Sequence, residues 1–170
     1  VEIPEGTLVI ADDTKILGIA GVIGCEDSAV TESTERILLE SACFEPVAVR
    51  NASRQLNQAT VAAARFMRGG DPTLPLMGAA RVAHLLEEHC GYRVGNAYTA
   101  GDWENPQRRI ALNVAATRRF IGTELSAVDM AERLTRYGFT VGLGRETLDV
   151  VVPPHRLWDV HFEADLAEES

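Results

Sequence analysis

Residues 18–72 read GIAGVIGCEDSAVTESTERILLESACFEPVAVRNASRQLNQATVAAARFMRGGDP. The stretch begins with a glycine-rich turn, continues through an apolar run that ends at Glu40, and closes on RGGDP. Its glycine spacing, G-x-x-G-x-x-G, matches neither the dinucleotide fingerprint nor the phosphate-binding loop of nucleotide hydrolases. Closely spaced glycines let a backbone approach a ligand or a neighbouring strand. A substrate contact and a tightly packed, bulged strand therefore both remain open interpretations.

The pattern around this stretch predicts strands followed by helices. β-rich or apolar runs bounded by turn residues indicate strands over residues 7–11, 15–20 and 36–43. Apolar residues at helical spacing, with a proline at the first turn or a glycine after the last, indicate helices over residues 47–56, 60–68 and 74–90. The first part of the chain is therefore predicted to combine a mixed sheet with helices.

Glu40 is the residue of the apolar run that most needs an explanation. Strand alternation over residues 36–43 places it on the same face as Leu38 and Ala42. A carboxylate buried between apolar side chains must be paired, protonated or reserved for a polar ligand. The partners that could make it a structural ion pair are three nearby arginines: Arg54, Arg65 and Arg68.

Two other groups of polar residues have structural interpretations. Arg65, Arg68 and Asp71 are predicted to form a network at the end of the helix over residues 60–68. His84 and His89 are five residues apart, which is off the i, i+4 face that helical metal ligands use. We therefore predict no metal site.

A second domain is predicted after residue 99. The composition shifts to Gly, Asp, Asn and Pro, so we place a linker at residues 100–107 between domains at 1–99 and 108–170. Beyond it the pattern predicts a strand (109–112), two helices (114–121 and 127–137), a hairpin (139–141 and 147–152) and a helix from residue 160. Ser126 with Asp129 three residues on indicates a capping box. The fold class is α+β, with a small winged-helix-like second domain.

Composition restricts the function classes. The 170 residues are 46% hydrophobic, which can fill a core, and we find no apolar run of about eighteen residues that would span a membrane. Three cysteines at spacings typical of neither zinc sites nor disulfides suit a reducing compartment, so we expect a cytoplasmic protein. The net charge of −9 argues against autonomous nucleic-acid binding. Because the first residue is Val1, we expect an excerpt of a longer protein.

Three motifs in this order carry a family resemblance: GIAGVIG (18–24), ILLESACFEP (37–46) and RFMRGGDP (65–72). Together they resemble the editing domain of bacterial phenylalanyl-tRNA synthetase β subunits, of which the C-terminal part is present here. IGTELS (121–126), YGF (137–139) and VPPHR (152–156) are similar to the small domain that follows it. The resemblance covers essentially the whole chain.

The resemblance implies hydrolysis of tyrosine wrongly esterified to phenylalanine tRNA. Glu40 stands where the family senses the tyrosine hydroxyl, Thr60 and Ala62 match pocket walls, and Gly21 matches a close backbone approach to the substrate. In such a site a water held by backbone groups and the substrate attacks the ester, so no catalytic side chain and no metal is expected. A hydroxyl acceptor rejects phenylalanine strongly, because that substrate leaves the acceptor unpaired.

The same resemblance implies a larger assembly. The parent would use ATP and magnesium outside this sequence and pair with a catalytic α subunit in an α2β2 enzyme that binds phenylalanine tRNA, with neither membrane nor DNA as a partner. Several positions differ from the family pattern: Cys25, Val61, Ala63, Met67, Gly70 and Trp158. A non-catalytic tRNA-docking module with a decayed pocket is therefore the alternative. A DNA reader built on the helix at 127–137 is a third and poorer one, since acidic residues there offset the arginines.

Overall fold

The computed structural model describes residues 2–101 and 107–170. The chain divides into two compact units, residues 1–99 and 100–170. Residues 102–106, most of the predicted linker, lie outside the described residues. Helices and small sheets occur in both units, which confirms the α+β class.

The first unit opens with a three-stranded antiparallel sheet. Its strands are β1 (Val9–Ala11), β2 (Ile16–Ile19) and β3 (Ile23–Gly24), in the order β1-β2-β3. β1 and β2 lie within the strands predicted over 7–11 and 15–20, whereas β3 was not predicted. Gly18 pairs with Gly24, and a Cβ on Gly18 would lie only 3.2 Å from the Ile23 carbonyl oxygen. The glycine at position 18 therefore permits close strand packing.

Three helices complete the first unit: α1 (Pro46–Gln55), α2 (Val61–Phe66) and α3 (Leu74–Cys90). α3 has the predicted bounds, and the other two lie within about two residues of theirs. Glu45 begins α1 by accepting a hydrogen bond from the Ala48 N–H (2.6 Å), ahead of a proline at the first helical position. The buried core is small and consists of Ile19, Val22, Val49, Ala52 and Ala63. No residue of α3 is buried in the described structure, although its sequence predicts an apolar stripe.

The prediction of a strand over residues 36–43 is wrong. This segment forms no regular element, and Ile37, Leu38 and Leu39 are 43%, 86% and 41% exposed. A strand requires a neighbour that completes its hydrogen bonds. No strand of the described residues pairs with this segment, so its apolar side chains are not sorted onto a buried face.

The second unit forms around an antiparallel sheet of order β4-β6-β5. β4 (Arg108–Asn113) leads directly into α4 (Val114–Ile121), which α5 (Ala127–Arg136) follows. β5 (Thr140–Leu143) and β6 (Thr147–Val152) form the hairpin, and β6 pairs with β4 along its whole length. The strand–helix–helix–hairpin order is the one that the sequence predicts.

Local capping explains where these helices begin and end. The Asn113 side chain accepts from the Ala116 N–H (2.8 Å) at the start of α4, and Gly122 ends the helix with a φ of 72°. Ser126 and Asp129 form the predicted capping box at the start of α5. The last helix, α6 (Glu163–Glu169), begins three residues later than predicted. Its start is fixed by the Asp165 carboxylate, which accepts from the N–H groups of His161 (2.7 Å) and Phe162 (2.8 Å).

The second unit has the larger core. It consists of thirteen buried apolar residues drawn from the sheet, from α4, α5 and α6 and from the connecting segments. Met130, Leu134, Leu148, Val150 and Leu166 are completely inaccessible. Arg108 also fastens the later part of the chain to β4, since its guanidinium donates to the carbonyls of Leu157 (2.6 Å) and Val160 (2.7 Å).

Candidate functional site

Gly21 occupies the turn between β2 and β3. The Val22 N–H donates to the Ile19 carbonyl (2.9 Å), and Gly21 has a φ of 68°, a conformation that glycine adopts without steric cost. A Cβ here would lie 3.0–3.2 Å from side-chain atoms of Val49, Phe44 and Phe66. Both the backbone conformation and the lack of space require glycine at this position.

Thr60 joins the start of α2 to the same turn. Its hydroxyl donates to the Val22 carbonyl oxygen (2.6 Å) and accepts from the Ala63 N–H (3.0 Å), which makes Thr60 the N-cap of α2. The hydroxyl proton is therefore committed to the protein. Any contact between Thr60 and a ligand would use its remaining lone pair or its methyl group.

Ala62 lies on the outer side of α2. It is exposed, whereas Ala63 beside it is completely buried against the core. A residue without a side chain beyond Cβ leaves open space along this side of the helix. The predicted pocket wall is thus accessible, and the buried side of the same turn serves packing.

Glu40 lies in the irregular segment between the sheet and α1. It is exposed, so the case of a buried carboxylate between Leu38 and Ala42 does not arise. Partial desolvation by the surrounding protein nevertheless raises the pKa of its carboxyl above the ordinary value of 4.5. The structural alternative, an ion pair with Arg54, Arg65 or Arg68, is not found among the described residues. The carboxylate therefore has free acceptor capacity.

The structure brings two of the four predicted residues together. The Thr60 hydroxyl donates to the Val22 carbonyl, next to Gly21, and so joins the β2–β3 turn to α2, whereas Ala62 lies on the exposed side of α2. Glu40 makes no hydrogen bond to them in the described structure. It precedes by four residues Phe44, whose ring packs beside Gly21.

Two aromatic residues at this junction were missed by the sequence reasoning. The rings of Phe44 and Phe66 lie 5.2 Å apart at 53°, and both face Gly21. Tilted aromatic pairs of this kind stabilise a packed wall beyond the area that they bury. Phe44 lies in the ILLESACFEP motif and Phe66 in the RFMRGGDP motif, and these positions could have identified both residues as part of the site.

The prediction that Arg65, Arg68 and Asp71 form a network at the end of α2 is wrong. The Asp71 carboxylate instead accepts from the Thr73 N–H (2.8 Å) and the Thr73 hydroxyl (2.6 Å). A short polar turn satisfies the carboxylate locally, which is a frequent arrangement for Asp. Neither Arg65 nor Arg68 forms an ion pair within the described part of the chain.

The histidine-containing end of α3 provides no metal site. His84 lies 3.4 Å from Glu88, one turn along the helix, and His89 lies 3.9 Å from the same carboxylate. Among residues 2–101 and 107–170 no group of three or more His, Cys, Asp or Glu side chains could hold an ion.

None of the helices described is both long and apolar enough to cross a bilayer.

The comparisons with known proteins define the class of protein. Residues 1–91 match the family model described as "B3/4 domain", and residues 110–170 match "tRNA synthetase B5 domain". The chain therefore belongs to the B3/4 domain family, with a B5 domain following it in sequence. This assignment agrees with the resemblance carried by the three motifs.

The family models name two domains, whereas the most similar relatives share the name of one subunit. The chain is 37% identical over 99% of its length to a protein of Acinetobacter baylyi and 38% identical over 99% to one of Colwellia psychrerythraea. It is 35% identical over 98% to a protein of Chlamydia trachomatis. All three relatives are named phenylalanine–tRNA ligase β subunit. The chain spans 21–22% of the length of these relatives.

Proposed function

We propose that this chain is part of the β subunit of a phenylalanine–tRNA ligase. Residues 1–99 are the C-terminal part of the tRNA-editing domain, residues 100–107 the linker, and residues 108–170 the winged-helix-like domain. The observation that carries this proposal is the succession of B3/4 and B5 matches within one chain, together with near-complete coverage by β-subunit relatives.

The editing role concerns tyrosine attached in error to phenylalanine tRNA. Tyrosine differs from phenylalanine by one hydroxyl, and Glu40 has an unpaired carboxylate that can accept a hydrogen bond from it. Discrimination by a dedicated acceptor is much stronger than discrimination by an apolar pocket, since phenylalanine lacks the hydroxyl and leaves the acceptor unsatisfied. Free acceptor capacity at Glu40 supports this role.

Hydrolysis in this site would use water rather than a side-chain nucleophile. Gly21 leaves its backbone partly accessible in the β2–β3 turn, and Ala62 presents only a methyl group on the exposed side of α2, where the ester would lie. The Thr60 hydroxyl holds the wall in place, because it donates to Val22 and caps α2. Backbone groups and the substrate would then position the attacking water.

The parent assembly would supply the synthetic reaction. We propose a catalytic α subunit, an α2β2 enzyme and a cytoplasmic location, with ATP and magnesium bound outside this chain. The free state of Cys25, Cys43 and Cys90 fits a reducing compartment. This chain alone would not catalyse the synthetic reaction.

The alternative is a docking or structural module whose editing pocket has decayed. Val61 is 72% exposed at the start of α2, and it replaces an aspartate of the family pattern. Ala63 is buried in the core and replaces a serine. The first change removes a polar group from the exposed start of α2, the second places an apolar residue in the core, and both are compatible with the fold.

Deacylation separates the two functions. The complete β subunit, assembled with its α partner, is given tyrosyl-tRNA, and release of tyrosine is compared between wild type and Glu40→Ala. Editing predicts hydrolysis by the wild type that the substitution strongly reduces. Glu35→Ala, which removes an exposed carboxylate from the same segment, is the matched control and should retain wild-type hydrolysis. Negligible hydrolysis by the wild type favours the docking module.

A further inference from the structure

Four arginines occur in a part of the sequence that contains no acidic residue. Between Pro46 and Gly70 the chain has no Asp or Glu, although it has 25 acidic residues and a net charge of −9 in total. The arginines are Arg50, Arg54, Arg65 and Arg68, and all four are exposed. We name these four residues the arginine patch.

A contact between α1 and α2 brings Arg50 to the end of α2 that carries Arg65 and Arg68. Arg50 extends from α1 and donates from Nη2 to the Met67 carbonyl (3.2 Å), at the C-terminal end of α2. Arg54 follows Arg50 by one helical turn on the exposed side of α1. The Arg68 N–H donates to the Arg65 carbonyl (3.2 Å), which sets these two residues one turn apart.

The patch has no compensating carboxylate in the described structure. The acidic residues nearest in sequence are committed elsewhere: Glu45 caps the start of α1, and Asp71 bonds Thr73. In the second unit, by contrast, Arg109 and Arg156 pair with carboxylates. Several uncompensated arginines create a local positive potential that favours an anionic ligand.

We infer that the arginine patch binds backbone phosphates near the 3′ end of the phenylalanine tRNA. This inference rests on the proposed editing function and names residues that would hold the nucleic acid. The planar fork of arginine matches a phosphate with two parallel hydrogen bonds. Contacts to phosphate position a nucleic acid without reading its sequence.

The position of the patch suits a substrate whose ester lies at the β2–β3 turn. Thr60 precedes α2, Arg65 and Arg68 lie at the other end of this helix, which the Arg50 side chain also contacts, and six helical residues span about 9 Å. That length corresponds to a small number of nucleotides. A 3′ end presented to Gly21, Thr60 and Ala62 therefore passes within reach of Arg65 and Arg68.

The test measures the salt dependence of tRNA binding by the complete β subunit with its α partner. The variant is Arg54→Gln/Arg68→Gln, which leaves the Arg50–Met67 hydrogen bond in place. The control, Arg81→Gln/Arg93→Gln, removes two exposed arginines from another part of the same unit. Unmodified phenylalanine tRNA transcript is the probe, and an unchanged thermal unfolding midpoint establishes that each variant is folded.

The inference predicts about tenfold weaker binding for the patch variant at low salt. The slope of log affinity against log salt should become shallower by about one for each phosphate that the variant no longer neutralises, and the control should match wild type. With tyrosyl-tRNA, KM should rise while kcat stays close to wild type.

An unchanged salt slope in a folded patch variant overturns the inference, and the patch would then serve another partner, such as an acidic protein surface. Failure of the editing proposal is distinguishable from this result. A wild-type enzyme that hydrolyses no tyrosyl-tRNA, and whose salt slope still depends on the patch, binds tRNA phosphates through these arginines without editing.

Discussion

At the scale of single residues, the first unit depends on positions where the local structure restricts the residue type. Gly21 has both a positive φ and three side chains within 3.2 Å of any added Cβ. Thr60 uses its hydroxyl twice, as donor and as acceptor. The residues that the resemblance assigns to the substrate therefore also hold the junction between the sheet and α2, and substitutions there will affect stability as well as activity.

We expect Gly21→Ala to destabilise the chain by about 2 kcal/mol. Alanine at a positive φ costs roughly 1 kcal/mol, and crowding against Val49, Phe44 and Phe66 adds a similar amount. Gly24→Ala is the matched control, because a Cβ there meets nothing within 4 Å. Chemical denaturation of both variants measures the difference, and equal stabilities would show that the turn is not constrained as described.

At the scale of elements, the helices with local caps were predictable from the sequence. The absence of a strand over residues 36–43 was not. α5 begins where Ser126 and Asp129 indicate, because a capping box depends on four consecutive residues. A strand over residues 36–43 depends on a neighbour elsewhere in the chain, and the pattern of apolar residues carries no information about its presence. The same limit explains why the exposure of Glu40 could not be predicted from the sequence. Gly21 and Thr60 were assigned to the site through the family resemblance, and that assignment remains a prediction.

We expect Ser126→Ala to cost about 1 kcal/mol at neutral pH, since it removes the N-cap of α5. Thr123→Ala, at an exposed position just before the helix, should change stability by less than about 0.5 kcal/mol. Denaturation of the two variants side by side checks the prediction.

The Ser126 substitution should also alter the dependence of stability on pH. Hydrogen bonds from Ser126 hold the pKa of Asp129 below its ordinary value of 3.8. A lowered pKa contributes stability that is present above about pH 4 and is lost as the pH falls through the folded-state value. The difference between wild type and Ser126→Ala should therefore shrink in acid, and a constant difference down to about pH 2 would contradict the capping role of Asp129.

At the scale of the whole molecule, the two units differ in how much apolar surface they bury. The second unit has thirteen buried core residues, and the first has five. In the first unit, Ile37–Leu39 and much of α3 leave large apolar side chains exposed. The second unit therefore contains most of the tightly packed structure in the described residues.

This difference predicts where core substitutions are most damaging. Leu134→Ala, at a completely buried position, should cost roughly 2–5 kcal/mol in the second unit. Leu143→Ala, at a leucine that is 63% exposed, should cost less than about 0.5 kcal/mol. Denaturation of a fragment of residues 100–170 measures both, and similar costs for the two variants would contradict the assigned core.

Our central proposal is that this chain contributes to removal of tyrosine from phenylalanine tRNA. Its most direct test is the ratio of tyrosyl-tRNA to phenylalanyl-tRNA hydrolysis by the complete β subunit with its α partner. We predict that the wild type strongly prefers tyrosyl-tRNA and that Glu40→Ala lowers this ratio on the order of 100-fold or more, while Glu35→Ala retains it. A wild-type enzyme that hydrolyses neither ester, or a Glu40→Ala variant with an unchanged ratio, would contradict the account.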